Sequence, residues 1–384
     1  MNRLAMRWPG LKAFGVKGLS LIAASLLGVT AVQAGGFANP NMSASGLGVA
    51  NAVVASADDV SAAAYNPAGI AWQDGIQAMA GVDVQFRNSS VELGSGIGSN
   101  GGGAANINHL YASWMPRDGS VGVALGYGTP YEIDNSWAAV FPGLTGQTAL
   151  NIDRLSVDLI YSHSSSLAIA LGGDWYLSSA NLSQGAQVFS GKDNFSFGGH
   201  VSLKWKPAPM WSVGALFRKG AKIGFSGNAG ESLGVTLPDE LTVGVAHDVA
   251  DAVRLELDAN WTRWSKLSNL NVISGAATLQ SNALDMKDSL TLMAGATWFW
   301  RENSQIRFGY AYDQGASNSS AFHPALADQT GHQLSLGAGG DMFGTHADLA
   351  YAYTYYPKKT VTGTFAGIYR DRRHSLALSV TKSF

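Results

Sequence analysis

Cysteine is absent from this chain of 384 residues, and charged side chains make up only 14% of it. Without cysteine, the chain has no disulfide scaffold, no thiolate nucleophile and no cysteine-ligated metal. Lysine and arginine total 25 against 27 aspartates and glutamates, so the basic excess of a nucleic-acid-binding protein is missing. After residue 34, no apolar run approaches the roughly 18 residues of a transmembrane helix. If this part of the chain crosses a membrane, it therefore crosses with strands.

Glycine and aromatic residues are abundant instead, with 47 Gly, 11 Trp, 13 Tyr and 15 Phe. Beyond residue 75, the apolar residues recur with a period of two, which is typical of strands. Leu255 and Leu257, for example, alternate with Arg254, Glu256 and Asp258. One face of such a strand is apolar over the depth of a membrane and the other is polar. This is the pattern of a transmembrane barrel with a polar lumen.

Fourteen segments show this alternation. They are residues 76–87, 107–116, 119–129, 152–162, 167–178, 193–206, 210–225, 238–247, 252–264, 288–300, 304–313, 331–341, 344–356 and 371–384. Short turns and long loops alternate between them, as in outer-membrane barrels. The sequence therefore predicts an all-β protein whose residues 76–384 form a 14-stranded antiparallel transmembrane β-barrel. The alternative is a soluble, secreted β-sandwich, which would have to bury pairs such as Arg254 and Glu256 in its core.

Both ends of the chain carry the pattern of a sorting signal. Residues 1–34 have four basic residues between Arg3 and Lys17, an apolar run from Leu19 to Val29 and small residues before a cleavage point after Ala34, as in a secretory signal peptide. At the other end, apolar residues alternate into the terminal Phe384. This ending resembles the signal by which the barrel-assembly machinery recognises outer-membrane barrels, although Lys382 stands where an aromatic residue is usual. We therefore expect export, cleavage of the signal peptide and insertion into a bacterial outer membrane.

Residues 35–75 do not alternate and are rich in Gly, Ala, Ser and Asn. A polar segment of small residues ahead of a barrel is best placed inside the lumen, so we predict an N-terminal hatch, or plug, over 35–75. Several of its motifs, and others downstream, are similar to those of the FadL/TodX (OmpP1) family of outer-membrane transporters. They are Gly35-Gly36-Phe37, Ser45–Gly48, Ala57-Asp58-Asp59, Asn66-Pro67-Ala68-Gly69, Arg218–Gly227, Leu237–Glu240, Trp261–Leu267 and Lys287-Asp288.

The resemblance implies a fourteen-stranded barrel with an N-terminal hatch that takes up long-chain fatty acids or similar hydrophobic molecules passively. The ligand would reach an interior pocket and leave sideways through a kink in strand three. It also implies a monomer surrounded by outer-membrane lipid and lipopolysaccharide, and a protein that needs no cofactor.

The resemblance assigns gating roles to residues of the hatch and of strand three. Phe37 matches an aromatic residue that is inserted into the interior pocket. Asn66, Pro67 and Ala68 match a hatch turn packed beside the strand-three kink. Gly126, Gly128 and Pro130 lie at the end of the third strand, where glycine weakens a strand and proline removes a ladder donor. A kink is expected there, although inward-facing glycines also simply make room for a plug.

A fatty-acid carboxylate needs a nearby cation. Lys287 is the first candidate, because it matches a family lysine before strand ten, and Arg218 and Lys222 are further candidates. Lumen-facing basic residues also serve solvation alone. The loop 179–192 is short and contains Lys192 but no arginine. This departure leaves monoaromatic hydrocarbons, which need no cation, as the alternative cargo.

The same fold is compatible with other functions. A general porin and a surface adhesin are the rivals from a different class. An outer-membrane lipase is disfavoured because the sequence has no GxSxG elbow, and it has no HExxH motif or histidine cluster at metal spacing. The sequence therefore predicts a transporter without catalytic residues, metal ligands or a nucleic-acid partner.

Overall fold

The computed structural model describes residues 36–100, 104–185, 187–228, 230–249, 252–317, 322–326 and 328–384. The predicted signal peptide lies outside these residues. Within the described part, fourteen long strands form one antiparallel sheet. They are β1 (Gly75–Leu93), β2 (Ala105–Met115), β3 (Val121–Ser136), β4 (Gln147–Ser164), β5 (Leu167–Gln184), β6 (Gln187–Ala208), β7 (Trp211–Lys219), β8 (Glu240–Val249), β9 (Val253–Thr262), β10 (Ser289–Arg301), β11 (Ser304–Asp313), β12 (Gly331–Met342), β13 (Thr345–Val361) and β14 (Gly367–Ser383).

The sheet closes on itself as a barrel. Each strand pairs with the next along the chain, and β14 pairs antiparallel with β1 from Gln77↔Ser383 to Glu92↔Ile368. Large apolar side chains point outward, and Leu257, for instance, is 62% exposed. Polar residues of the same strands point inward and are buried, including Glu256 and Asp258. The predicted 14-stranded antiparallel barrel with a polar lumen is confirmed.

The strands extend further at the end with the long connections, called here the outer end, than the apolar pattern predicts. Residues 179–192, predicted as a loop, mostly continue β5 and β6 as a paired hairpin. Ala180 and Phe189 on the inner face are buried, but exposed polar residues such as Asn181 and Ser190 occupy the outer face, so the apolar pattern fades although the ladder hydrogen bonds continue. Short strands also form inside the predicted outer loops. They are Gly96–Ser99, Lys222–Gly227, Glu231–Thr236, Asn269–Ser274 and Ala277–Ala283.

The predicted segment 210–225 is not one strand. β7 ends at Lys219, and Lys222–Gly227 instead pairs with Glu231–Thr236. The backbone carbonyls of Leu237 and Pro238 come so close to Gly220 that a Cβ there would overlap them. The Gly220 N–H donates to Asp239 Oδ1 at 2.9 Å, so this amide leaves the ladder and the strand stops.

The segment before β1 lies inside the barrel. It contains the short helices α1 (Ala44–Gly48) and α2 (Ala62–Tyr65) and a 3₁₀ helix over Pro67–Trp72. Carboxylates of β9 hold its backbone, because the N–H groups of Ala55 and Ser56 donate to Glu256 and that of Val54 donates to Asp258 at 2.9 Å. None of the helices among the described residues is long and apolar enough to cross a membrane.

Glycine on the inner wall lets the segment approach the strands. The backbone of Val49 and Ala50 lies against Gly309 of β11, where an added Cβ would overlap it. We expect Gly309→Leu to displace the segment, because overpacking costs about 1–3 kcal/mol and raises the undocked population by about tenfold or more. Limited proteolysis within residues 36–74 measures that population. Phe308→Leu, at the neighbouring outward position, is the control, and equal cleavage of both variants would contradict this expectation.

Candidate functional site

An interior cavity of about 150 Å³ separates the N-terminal segment from the barrel wall. Its apolar lining comes from both sides. It consists of Ala38, Pro40, Met42, Val54 and Ala64 of the segment, Pro130 of β3, Leu216 of β7 and Met293 of β10. The cavity is concave and mostly pre-formed, as sites for small hydrophobic molecules are.

The barrel wall is interrupted beside this cavity. β2 and β3 pair only from Trp114↔Val123 to Leu110↔Tyr127, and no ladder joins them beyond this point. Toward the outer end, the Ser136 N–H donates to Asn100 Oδ1 at 2.9 Å. Between these limits lies an opening in the sheet, called here the wall opening.

The third strand is irregular at the wall opening. Its register with β4 shifts between Gly128 and Tyr131, so that one extra residue stands in β3. This is a β-bulge, which bends a strand locally. The irregularity lies at the position that Gly128 and Pro130 predicted. Gly126 lies below it, facing Ser156 and Tyr111.

The first described residues of the chain occupy the wall opening. Ala38 forms an isolated antiparallel bridge with Tyr131, and the Asn39 N–H donates to the Pro130 carbonyl at 2.7 Å. The Asn39 side-chain amide donates to the Thr129 carbonyl at 3.2 Å. The segment thus supplies hydrogen bonds to the bulged part of β3 that a neighbouring strand supplies elsewhere.

Phe37 is buried in an aromatic cluster above the cavity. Its ring centroid lies 5.6 Å from that of Tyr131 and 5.0 Å from that of Trp264. Gly36 has a φ of +73° and packs so closely on Trp264 that a Cβ would overlap the ring. Nearby, burial raises the pKa of Asp328 to about 7, although backbone N–H groups of Ala316 and Gly36 act to lower it.

Two arginines line the cavity, and each faces a carboxylate. Arg218 Nη1 lies 2.5 Å from both carboxylate oxygens of Asp174, and Arg154 Nε lies 3.7 Å from the same group. His200 Nδ1 is 3.2 Å from Asp174 as well. Arg218 Nη2 is buried and has no hydrogen-bond partner among the described residues. Arg218 thus lies where the sequence placed it, at the pocket, but it is already paired.

The wall from β8 to β11 contributes a polar stripe to the cavity. The polar stripe consists of Glu240, Thr242, Asn260, Thr262, Thr291 and Asp313. Asn260 Nδ2 donates to Thr242 Oγ1 at 2.8 Å, and Thr262 Oγ1 donates to Asn260 Oδ1 at 2.7 Å. Thr291 donates to Asp313 at 2.8 Å, and the Tyr131 hydroxyl donates to Glu240 Oε1 at 2.6 Å. Tyr131 thereby joins the bulge of β3 to the opposite wall.

The turn at Asn66, Pro67 and Ala68 is held by hydrogen bonds to the segment and to β6. The Asn66 amide donates to the carbonyl of Val54 at 2.6 Å and to that of Leu203 at 3.0 Å. The Ala68 N–H donates to Ser202 Oγ at 3.1 Å. These bonds attach the turn to β6, while Ala68 belongs to an apolar cluster that also contains Ala124 of β3. Pro67 is the first residue of the 3₁₀ helix, where its missing N–H costs nothing.

Two of the three predicted cations are exposed at the outer end. Lys287 lies between β10 and the hairpin formed by Asn269–Ser274 and Ala277–Ala283. Its backbone N–H donates to the Ala316 carbonyl at 2.8 Å. Lys222 begins the short strand after β7. Neither lines the interior cavity. A second, smaller cavity lies among the outer loops, and Leu144, Leu182, Leu270 and Leu284 are among its lining residues.

Sequence reasoning missed Arg154, Tyr131, Trp264 and the polar stripe. The sequence indicated the stripe only through the alternation of the strand. Asn260 and Thr262 share the inward face of Glu256 and Asp258 along β9. Within the part of the chain that the structure describes, no group of three acidic or histidine side chains is placed to hold a metal ion.

Comparisons with known proteins agree with this architecture. A family model described as "Outer membrane protein transport protein (OMPP1/FadL/TodX)" matches residues 188–381. Outer membrane protein P1 of Haemophilus influenzae is 25% identical over 441 residues, covering 95% of each chain. A Pseudomonas aeruginosa FadL homologue is similar in structure with a TM-score of 0.81 at 18% identity, covering 91% of this chain and 100% of the other. The toluene transporter TodX of P. putida has a TM-score of 0.66 at 15% identity, covering 88% and 98%.

The family match spans more than half of the chain, and it agrees with the closed fourteen-stranded barrel and its buried N-terminal segment. The relatives are transport proteins and not enzymes. This chain belongs to the FadL/TodX family of outer-membrane transport proteins.

Proposed function

We propose that the protein takes up hydrophobic molecules through the interior cavity and releases them sideways into the membrane at the wall opening. The observation that carries the proposal is the position of Ala38 and Asn39, which fill the opening and line the cavity at once. Withdrawal of these two residues would connect the cavity directly with the lipid. No energy source is required, because the ligand moves down its gradient.

The outer cavity would capture the ligand first. Its leucine side chains offer apolar contacts in the loops, where water otherwise surrounds the chain. Phe37, Tyr131 and Trp264 lie close to the interior cavity and the N-terminal segment. Movement of Phe37 with the segment would then couple ligand passage to release of Ala38 and Asn39. We also propose that the protein acts as a monomer in contact with lipopolysaccharide, after insertion by the barrel-assembly machinery.

Two cargo classes follow from the relatives and the sequence. Structural relatives that are named toluene transporters or monoaromatic hydrocarbon channels favour aromatic hydrocarbons. The resemblance of the sequence to fatty-acid transporters favours long-chain fatty acids, and for these the cavity offers Arg154 and Arg218. Initial uptake of labelled oleate and toluene, by cells lacking their own importer and with or without this protein, tests the proposal. Entry of neither ligand into cells with a folded protein in the outer membrane would contradict it.

Lys287→Ala tests the cation that the sequence favoured. We expect uptake of oleate and toluene to stay within about twofold of the unmodified protein, as is usual for an exposed side chain away from the site. Initial uptake rates at equal protein levels measure this. Lys222→Ala is the matched control at the other exposed lysine. A selective loss of oleate uptake in Lys287→Ala would instead make this lysine the carboxylate partner during capture.

A further inference from the structure

We propose that the interior cavity selects uncharged hydrophobic molecules that carry a hydroxyl group, such as long-chain alcohols and alkylphenols, over carboxylates and plain hydrocarbons. The inference rests on the proposed function and names its substrate class. Three features of the cavity support the inference. Its arginines already pair with a carboxylate, its polar stripe has free hydrogen-bonding groups, and most of its other lining residues are apolar.

The charges at the cavity do not favour a carboxylate. Asp174 already pairs with Arg218 at 2.5 Å and faces Arg154 at 3.7 Å. Glu240 stands directly opposite Arg218 in the ladder between β7 and β8, and Asp313 adds a second carboxylate to the lining. An ionised ligand would lose its hydration on entry and meet acids that outnumber the free cations. Burial of such a charge is unfavourable.

The polar stripe retains both donors and acceptors for an uncharged ligand. The Thr242 oxygen accepts from Asn260, which leaves the hydroxyl hydrogen of Thr242 and the second amide hydrogen of Asn260 to donate. Thr291 donates to Oδ1 of Asp313, which leaves Oδ2 to accept. A hydroxyl group both donates and accepts, so it matches this pattern, whereas an alkane satisfies none of it.

Arg218 supplies a further observation. Its guanidinium is buried, its Nη2 has no hydrogen-bond partner among the described residues, and the residue lines the cavity. A buried donor without a partner is costly, so a ligand oxygen that accepts from it gains more than an exposed contact would. A neutral oxygen can do this without opposing Glu240.

The apolar residues of the cavity would hold the hydrocarbon body. Met42, Val54 and Ala64 of the segment and Leu216 and Met293 of the strands present only apolar atoms. Leu216 faces Thr242 in the ladder between β7 and β8, so apolar lining adjoins the polar stripe and a chain attached to a bound hydroxyl group has apolar contacts nearby. At the wall opening, Asn106 and Asn108 are exposed on the outer face of β2, in the part that pairs with β1 but not with β3, so the route into the membrane also offers polar groups.

The test compares dodecan-1-ol, dodecanoate and n-dodecane, which share the chain length, at pH 7. Initial uptake is measured in cells lacking their own importer, and uptake by cells with the empty vector is subtracted. We expect dodecanol to enter about tenfold faster than the other two, since it alone combines a hydroxyl group for the stripe with the absence of a charge. Faster entry of dodecanoate, or equal entry of dodecane, overturns the inference.

Three variants test whether the polar stripe itself sets the preference for a hydroxyl group. Asn260→Leu should lower dodecanol uptake about tenfold and leave dodecane unchanged, because only the hydroxyl loses partners. Leu257→Val, on the outward face of β9, is the control and should leave both rates unchanged. Glu240→Gln removes one negative charge and should raise dodecanoate uptake relative to dodecanol. Heat-modifiable migration in gels verifies that each barrel is folded.

The outcomes distinguish a wrong assignment of the polar stripe from a wrong assignment of transport. Dodecanol uptake that is insensitive to Asn260→Leu overturns the assignment of the stripe while transport itself stands. Uptake of all three compounds at the rate of the empty vector contradicts the proposed function and the inference together.

Discussion

Deletion of residues 37–72 converts the protein into an open pore. In planar bilayers we expect the conductance to rise about tenfold or more over the full-length protein, because wide barrels without a plug enclose an aqueous channel. The inner wall is already polar, since Asp83, Arg307 and Asp348 face the lumen and are buried mainly by the segment and by one another. Water entering the lumen would therefore be stable there.

The control for this deletion is removal of residues 275–279, the exposed tip of the hairpin formed by Asn269–Ser274 and Ala277–Ala283. That variant should remain as silent as the full-length protein. A plug deletion that folds but conducts no better would mean that the outer loops and not the segment close the barrel.

Deletion of Pro130 closes the wall opening. Between Gly128 and Tyr131, β3 holds one residue more than the facing part of β4, so removing one residue restores the register. The straightened strand could then pair with β2 beyond Leu110, where no ladder exists now. We expect initial uptake of a hydrophobic cargo to fall about tenfold or more, equivalent to a barrier higher by about 1.4 kcal/mol.

Pro130→Ala distinguishes the effect of the extra residue in β3 from the effect of the proline ring. It keeps the residue count of β3 and therefore the bulge, so uptake should stay close to that of the unmodified protein. Both variants are compared at equal amounts of heat-modifiable protein in the outer membrane. Unchanged uptake after deletion of Pro130 would show that cargo leaves by another route.

The barrel could be predicted from the sequence because its cause is local. Along each strand, lipid and lumen impose opposite polarity on successive residues, so the alternation of Leu257 with Glu256 and Asp258 reports the fold directly. The same argument fails at the outer ends of β5 and β6, where polar residues such as Asn181 and Ser190 replace apolar ones on the outward face. It also failed at Gly220, because the chain that displaces the ladder there is remote in sequence.

The candidate site was only partly accessible from sequence. The bulge of β3 could be anticipated, because Gly128 and Pro130 alter the backbone itself. The attachment of Asn66 to β6 could not, since its partners Val54 and Leu203 are chosen by how the segment folds within the lumen. The pairing of Arg218 was equally hidden, because Asp174 stands 44 residues earlier in the sequence. The two residues meet only because β5 and β7 both flank β6.

The sequence by itself thus determined the strand number, the direction each residue faces and the presence of a non-strand segment ahead of the barrel, since these depend on periodicity and composition. Only the tertiary structure decided where that segment closes the wall, which cations are already paired and which polar groups remain for a ligand. Those properties arise from contacts between distant parts of the chain, which no local pattern encodes.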